Sequence, residues 1–562
     1  MNGVQGRISF LTKNEGGLFW IVEYEKYSYF YKMDEMSGMQ ELIIKKQGKV
    51  NALIADEKYL YFCIDSKHSR FYYRLFQIDL ASGVCTSINN PVDLNTINEY
   101  VVCCYENAVY YTTNEIDKNN NSIICLNKTI SSKKILGAKK KGLLLLMDVC
   151  KTNECYCYTN VYSNFKSDLF IYSLKKGHIK INSEGLDSAN YGARFLDKNK
   201  IVYISNEDQE NQYLCLYNIE EETKESLFST SLGDVDDFCI SENDKYIYIK
   251  VVSGTKDILF RYQVEIKSFE MIEFPDDISI IEKIALYDRG LYIIAESERK
   301  RPSIFKLDED RWIKIVNGGE YKNGYRGLNI FLKTLGQFNM EILFYKTIKE
   351  KKGTIIWLHG GPNAATRCIY NQLFSDFLQK GFDIIAPNYI GSICYGKKYM
   401  EYYVKQNERG CEYIIKQCEE LINWGRDCGY ITQDNVIICG ESFGGYLSLC
   451  LAIKKIEGIS LCVNLFGPLS INDILGRFPK YMSSLPENTF GKERNDLSVI
   501  DNIDEDAVPP ILVISGSDDM VNNNLESVTS ERIKCVSIEH CGHGYDNSND
   551  YKIIISEIMK YL

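Results

Sequence analysis

The pattern Gly440-x-Ser442-x-Gly444, inside NVIICGESFGGYLSLCLAI, has the spacing of a nucleophile elbow. On its own a G-x-S-x-G match is weak, since composition alone supplies about 0.2 such matches in a chain of this size. Its flanks strengthen it. An apolar strand pattern precedes it and a helical pattern follows, so the turn predicts a serine hydroxyl lifted above a sheet edge at a helix N-terminus. The glycines stand where a Cβ would collide with the neighbouring strand and helix.

A serine hydroxyl near neutral pH needs an adjacent base. The chain has 5 histidines, His68, His178, His359, His540 and His543. With the order nucleophile, acid, base that this fold requires, only His540 and His543 follow Ser442. Both lie in IEHCGHGYDN, after the strand CVSIE (535–539). His543, between Gly542 and Gly544, is the expected base, and His540, nearer the strand end, the structural one. The acid should follow the strand before that, where ILVISGSDDMV offers Asp518 and Asp519. Either carboxylate would hold the imidazole tautomer and stabilise the imidazolium. Acyl transfer also needs donors for an oxyanion. His359-Gly360-Gly361-Pro362, directly after a strand, exposes backbone N–H groups for this, and the N–H of Phe443 completes the pair. His359 itself reads as a packing or hydrogen-bonding residue.

The elements that must position these groups occupy the last 240 or so residues, where buried-type strands alternate with amphipathic helices. The strands are IIWLH (355–359), FDIIAPNY (382–389), NVIICG (435–440), LCVNLFG (461–467) and ILVISG (511–516), with helical patterns at Tyr413–Asp427 and Tyr446–Lys455. Apolar strands separated by helices predict a doubly wound, mostly parallel sheet covered on both faces.

The first 320 residues have a different texture. A short apolar strand recurs around Phe30, Phe76, Ile124, Phe170, Cys215, Phe260 and Phe305, at intervals of about 45–48 residues. A second strand precedes most copies, at Leu18, Tyr59, Ala108, Ile201, Tyr246 and Leu291. Seven units of about four short strands each predict a seven-bladed β-propeller. The third unit is the least regular, and its Asn-rich stretch Lys118–Ser122 reads as a loop.

Bulk properties narrow the remaining classes. A chain of 562 residues needs at least two cores, and the net charge of −11 disfavours nucleic acid and anionic membrane as partners. No apolar run approaches a membrane span, and the N-terminus lacks a signal-peptide core. The 20 cysteines then read as reduced thiols in a cytoplasm. The cluster Cys150, Cys155 and Cys157 lacks metal-ligand spacing and a nearby histidine, so no metal site is expected.

Across both parts the sequence resembles the prolyl oligopeptidase family of serine peptidases. HGGP (359–362), NYIGSICYG (388–396), GESFGGY (440–446), VPPILVISGSDDMV (508–521) and GHGY (542–545) fall in that family's order. HGGP with GHGY is most similar to the acylaminoacyl-peptidase branch. The resemblance implies an N-terminal seven-bladed propeller over residues 1–320 and a C-terminal α/β-hydrolase domain over 321–562. It implies a triad of Ser442, Asp518 and His543, with Gly361 and Phe443 donating backbone N–H groups to the oxyanion. It further implies hydrolysis of short peptides through an acyl-enzyme, with access restricted by the propeller and no cofactor. The expected partner is a short peptide or peptide-like substrate, and self-association into a homo-oligomer is compatible with it. The sequence departs from the family's usual N-Y-R-G-S-x-G-Y-G at Ile390 and Cys394, and Met520 stands where branches often carry Arg or Asn. These departures keep open an esterase, acyltransferase or dedicated processing enzyme of the same fold acting on a modified peptide. A separate alternative is a non-catalytic protein whose propeller binds a partner, as propellers often do.

Overall fold

Within each N-terminal repeat, β-branched and aromatic residues alternate with polar ones between tight turns, so neighbouring segments pair as antiparallel hairpins. The computed structural model describes residues 6–65, 72–89, 97–105, 108–138, 143–150, 155–241, 245–275, 277–287, 290–325, 328–335, 337–405, 410–432, 435–471, 474, 477, 508–521, 532–545 and 547–561. The chain divides into two compact units, with the first running to Glu320 and the second opening at Tyr321.

The first unit consists of seven four-stranded antiparallel sheets, each built from one continuous stretch of chain. This is the seven-bladed propeller. The repeat at Phe170 lacked a recognised second strand; the structure supplies Cys155–Ser163. The Asn-rich stretch differs from its expected loop. Ala108–Asp117 and Asn120–Asn127 form a hairpin with only Lys118 and Asn119 in the turn. Asp117 makes this possible, accepting hydrogen bonds from the Asn119 N–H at 3.0 Å and from Asn120 Nδ2 at 2.9 Å. Polar residues that signal a loop in sequence here fasten a two-residue turn. Lys139–Lys141 and His68 lie outside the described residues.

The blades pack face to face through apolar clusters. One joins Ile8, Leu11, Leu18 and Trp20 of the first blade to Tyr292, Ile294, Ile304 and Val316 of the last, closing the ring by side-chain packing. Arg7 adds an ion pair to Glu296 at 2.5 Å and a second to Glu282 across that seam.

The second unit is an eight-stranded sheet. Its order is Leu328–Leu335, Phe338–Tyr345, Phe382–Pro387, Gly353–Leu358, Val436–Glu441, Ile459–Leu465, Ile511–Gly516 and Ile533–Ile538. Phe338–Tyr345 runs antiparallel to both neighbours, and the remaining pairings are parallel. Successive residues of a strand point to opposite faces. Ile356, Leu358 and Ile438 therefore join one core cluster, and Ile355, Trp357 and Ile437 the other. Burial on both faces is why these strands read as unbroken apolar runs.

Candidate active site

The turn from strand Val436–Glu441 into helix Phe443–Ala452 holds Ser442 at φ 53° and ψ −119°. This backbone region is costly for a residue with a side chain, by about 1–3 kcal/mol. The surroundings enforce it. A Cβ on Gly440 would sit 2.1 Å from the Gly444 carbonyl oxygen, and one on Gly444 would sit 2.0 Å from that of Leu358. Strand, helix and the neighbouring strand thus approach too closely for any residue but glycine at these positions.

The serine side chain makes no helix-capping bond. Its Oγ lies 2.9 Å from His543 Nε2. On the other edge of the ring, His543 Nδ1 lies 3.1 and 3.2 Å from the two carboxylate oxygens of Asp519. Asp519 is fully buried and also accepts the Val521 N–H at 2.8 Å. Phe466 presents its ring edge-on to His543 at a centroid distance of 6.4 Å.

The position expected for the acid is thereby corrected by one residue: Asp519, not Asp518, faces the histidine. Asp518 is exposed, and its N–H bonds the Cys541 carbonyl at 2.9 Å. The turn is closed by the Asp519 N–H on the Gly516 carbonyl at 3.2 Å. Counting forward from the strand end gives the inward residue, because the turn closes on Gly516. Gly516 is itself required, since a Cβ there would lie 2.0 Å from the Cys541 carbonyl oxygen. The acid turn and the histidine loop consequently touch backbone to backbone. His540 sits exposed at the strand end with φ 55°, and its N–H bonds Ser517 Oγ.

The HGGP segment runs past the nucleophile. A Cβ on Gly360 would meet Ser442 Cβ at 3.2 Å, and Gly361 adopts φ +119°. Gly360 is therefore the position of this loop that lies against Ser442, and Phe443 follows Ser442 at the start of the helix. Beneath them, His359 is buried and stacks on Tyr389 with centroids 4.1 Å apart. Its Nδ1 lies 2.7 Å from the Gly360 carbonyl oxygen and its Nε2 2.8 Å from Ser392 Oγ. Burial pushes the His359 imidazole down to about 4, with the Gly360 carbonyl partly opposing this. The ring is neutral near pH 7, a brace for the loop rather than a base.

The segment 388–396 ties this loop down. Asn363 Nδ2 donates to the Gly391 carbonyl at 2.9 Å, and the Ile393 N–H to the Ala364 carbonyl at 3.2 Å. Ile390, at the position where the family reads Arg, is 1% exposed in the apolar core. Cys394 keeps a left-handed φ of 74°, the conformation that the family's glycine adopts freely. Sequence reading missed Phe466 and Arg477. Arg477 Nη1 donates to the Val521 carbonyl at 3.1 Å and so braces the acid turn. Neither carries a spacing signal, because each meets the site only through the folded chain.

Fold and site together define a propeller joined to an α/β-hydrolase with a Ser–His–Asp constellation. Residues 372–527 match the profile of the prolyl oligopeptidase family. A dipeptidyl aminopeptidase BIII from Pseudoxanthomonas mexicana is 26% identical over 223 residues, which cover 35% of this chain and 31% of that protein. The match thus spans about a third of that relative's length. The fold resembles a puromycin-hydrolyzing peptidase of Mycobacterium tuberculosis, with a TM-score of 0.82 at 12% identity, covering 99% of this chain and 94% of that one. It also resembles the acylaminoacyl peptidase of Pyrococcus horikoshii, with a TM-score of 0.69 at 11% identity over 99% and 96% of the two chains. The second unit is thus similar to the prolyl oligopeptidase family over residues 372–527, and the whole chain shares the fold of these peptidases.

Proposed function

We propose that the protein hydrolyses short peptides through an acyl-enzyme on Ser442. The observation that carries this reading is the unbroken line from Ser442 Oγ through His543 to Asp519, at 2.9 Å and 3.1 Å. In this reading His543 Nε2 takes the Ser442 proton as Oγ attacks the scissile carbonyl. Asp519 accepts from Nδ1–H, which fixes the tautomer and stabilises the imidazolium. The backbone N–H groups of Gly361 and Phe443 receive the oxyanion. His543 then protonates the leaving amine, and water, deprotonated by the same imidazole, releases the acyl group. No step calls for a metal or cofactor. The propeller would limit substrates to short chains, as the resemblance implies.

A fluorophosphonate probe should label the wild-type protein at Ser442 and leave folded Ser442→Ala unlabelled. A panel of short peptides and matched esters should be turned over by the wild type alone. Labelling elsewhere, or equal turnover by Ser442→Ala, would sink the proposal.

A further inference from the structure

Four consecutive blades, the fourth to the seventh, carry a charged residue at the same structural position. In each innermost strand the ladder breaks register, and the first residue after the break is Asp148, Arg194, Asp237 or Lys283. The signs alternate around the ring. All four line a cavity of about 650 Å³ within the propeller, together with Tyr105 and Tyr287. That volume lies in the range that ordinarily holds a small ligand, roughly 300–1,000 Å³.

The two carboxylates are already engaged. Asp148 accepts the Val149 N–H at 2.9 Å and the Phe195 N–H at 2.8 Å. Asp237 accepts the Phe238 N–H at 2.9 Å and lies 3.6 Å from Lys283 Nζ. Arg194 is held differently. Only its Nη1 is bonded, to the Ala193 carbonyl at 3.0 Å and the Met147 carbonyl at 3.4 Å. Among the described residues, Nε and Nη2 have no protein acceptor, and no carboxylate lies within ion-pairing distance of the guanidinium. Nε–H and Nη2–H form the side-on fork of a guanidinium, whose two parallel donors match the two oxygens of a carboxylate. Asp148 and, less strongly, Asp237 act on the guanidinium through space, without a hydrogen bond to that fork.

We propose that this cavity is a second ligand site, in which the Nε–Nη2 edge of Arg194 binds the free C-terminal carboxylate of a short peptide. The choice of a peptide as carrier rests on the peptidase reading above; the carboxylate itself is read from Arg194. Lys283 adds long-range attraction, and Asp148 and Asp237 limit it, so the fork and not net charge sets the preference.

The test uses the full-length Ser442→Ala protein, which cannot consume its ligand. Calorimetric titration compares trialanine, N-acetyl-trialanine and trialanine amide. Both free acids should bind at least about 10-fold more tightly than the amide, as a charge-assisted pair warrants. Adding Arg194→Gln should erase this preference, and adding Arg194→Lys, which keeps the charge but not the fork, should restore part of it. Melting curves identify a variant that fails to fold, and the Lys variant then carries the comparison. Equal binding of acid and amide, no binding of either, or a preference that survives both substitutions would overturn the site. Because binding is read without turnover, an Arg194-dependent preference in a protein that cleaves no peptide would refute the peptidase reading and keep the carboxylate site.

Discussion

Asp518 and Asp519 are neighbours of identical chemistry, and the turn sends them in opposite directions. The bond from the Asp518 N–H to Cys541 leaves its carboxyl in solvent, while Asp519 is drawn under the histidine and pinned by the Val521 N–H. The difference in consequence should be large. Asp519→Asn should lower kcat by about 10⁴-fold, since an amide in that position selects the wrong imidazole tautomer. Asp518→Asn should stay within about 2-fold of wild type. Steady-state hydrolysis of an activated ester by the two folded variants decides this. A loss in Asp518→Asn with a silent Asp519→Asn would return the acid to the position expected from the sequence resemblance.

At the scale of elements, the elbow depends on the absence of side chains at the crossing of strand and helix. A methyl group on Gly444 would meet the carbonyl oxygens of Leu358 at 2.0 Å and His359 at 2.6 Å. These are backbone atoms at the end of a central strand and just beyond it, and they cannot swing aside as a side chain can. Gly444→Ala should therefore cost about 2–3 kcal/mol or more, as overpacking at a rigid site does. It should also displace the HGGP loop, so that kcat falls further than stability alone explains. Chemical denaturation followed in parallel with probe labelling would show both effects. A variant as stable and as reactive as wild type would contradict the packing account.

For the whole molecule, the two units carry buried groups that respond to pH in opposite senses. His359, in the hydrolase unit, falls from the ordinary 6.5 to about 4 because its burial disfavours the cation. Its unfolded form binds a proton first. The stability it contributes is complete above pH 6.5 and is lost as pH falls toward 4, by about 3 kcal/mol in all. Glu296, at the seam that closes the propeller, is raised chiefly by burial, with Arg7 opposing and Glu282 adding to the rise. Its folded form holds the proton more tightly. That contribution is complete below the ordinary glutamate value and is lost as pH rises through the elevated one. Between pH 5 and 7, His359→Gln should therefore lose acid sensitivity, and Glu296→Gln should lose the decline toward neutrality. Melting temperatures of the three proteins across that range check the signs, and parallel curves would refute both assignments.

Much of this architecture was legible along the chain because it is periodic. Strand alternation within a blade, the repeat near 45 residues and the unbroken apolar strands of the second unit are local consequences of which faces must be buried. The elbow was legible for a related reason, since its glycines and its serine must be adjacent in sequence. The histidine followed from a count of 5 and a required chain order. What the linear chain could not decide was direction. Whether Asp518 or Asp519 turns inward depends on where the turn closes against Gly516 and Cys541, and Phe466 and Arg477 approach from a different strand connection. The Asn-rich segment likewise reads as loop until Asp117 closes its turn. In the propeller, Arg194 is one arginine among many in sequence. Its fork becomes a site only because a register break in each of four blades places Asp148, Asp237 and Lys283 around the same cavity. Sequence by itself determined the elements and the kind of chemistry, through periodicity and residue type. Tertiary structure alone decided which carboxylate faces His543 and which guanidinium keeps an unbonded edge among the described residues, because both depend on distances between segments that the chain brings together only when it folds.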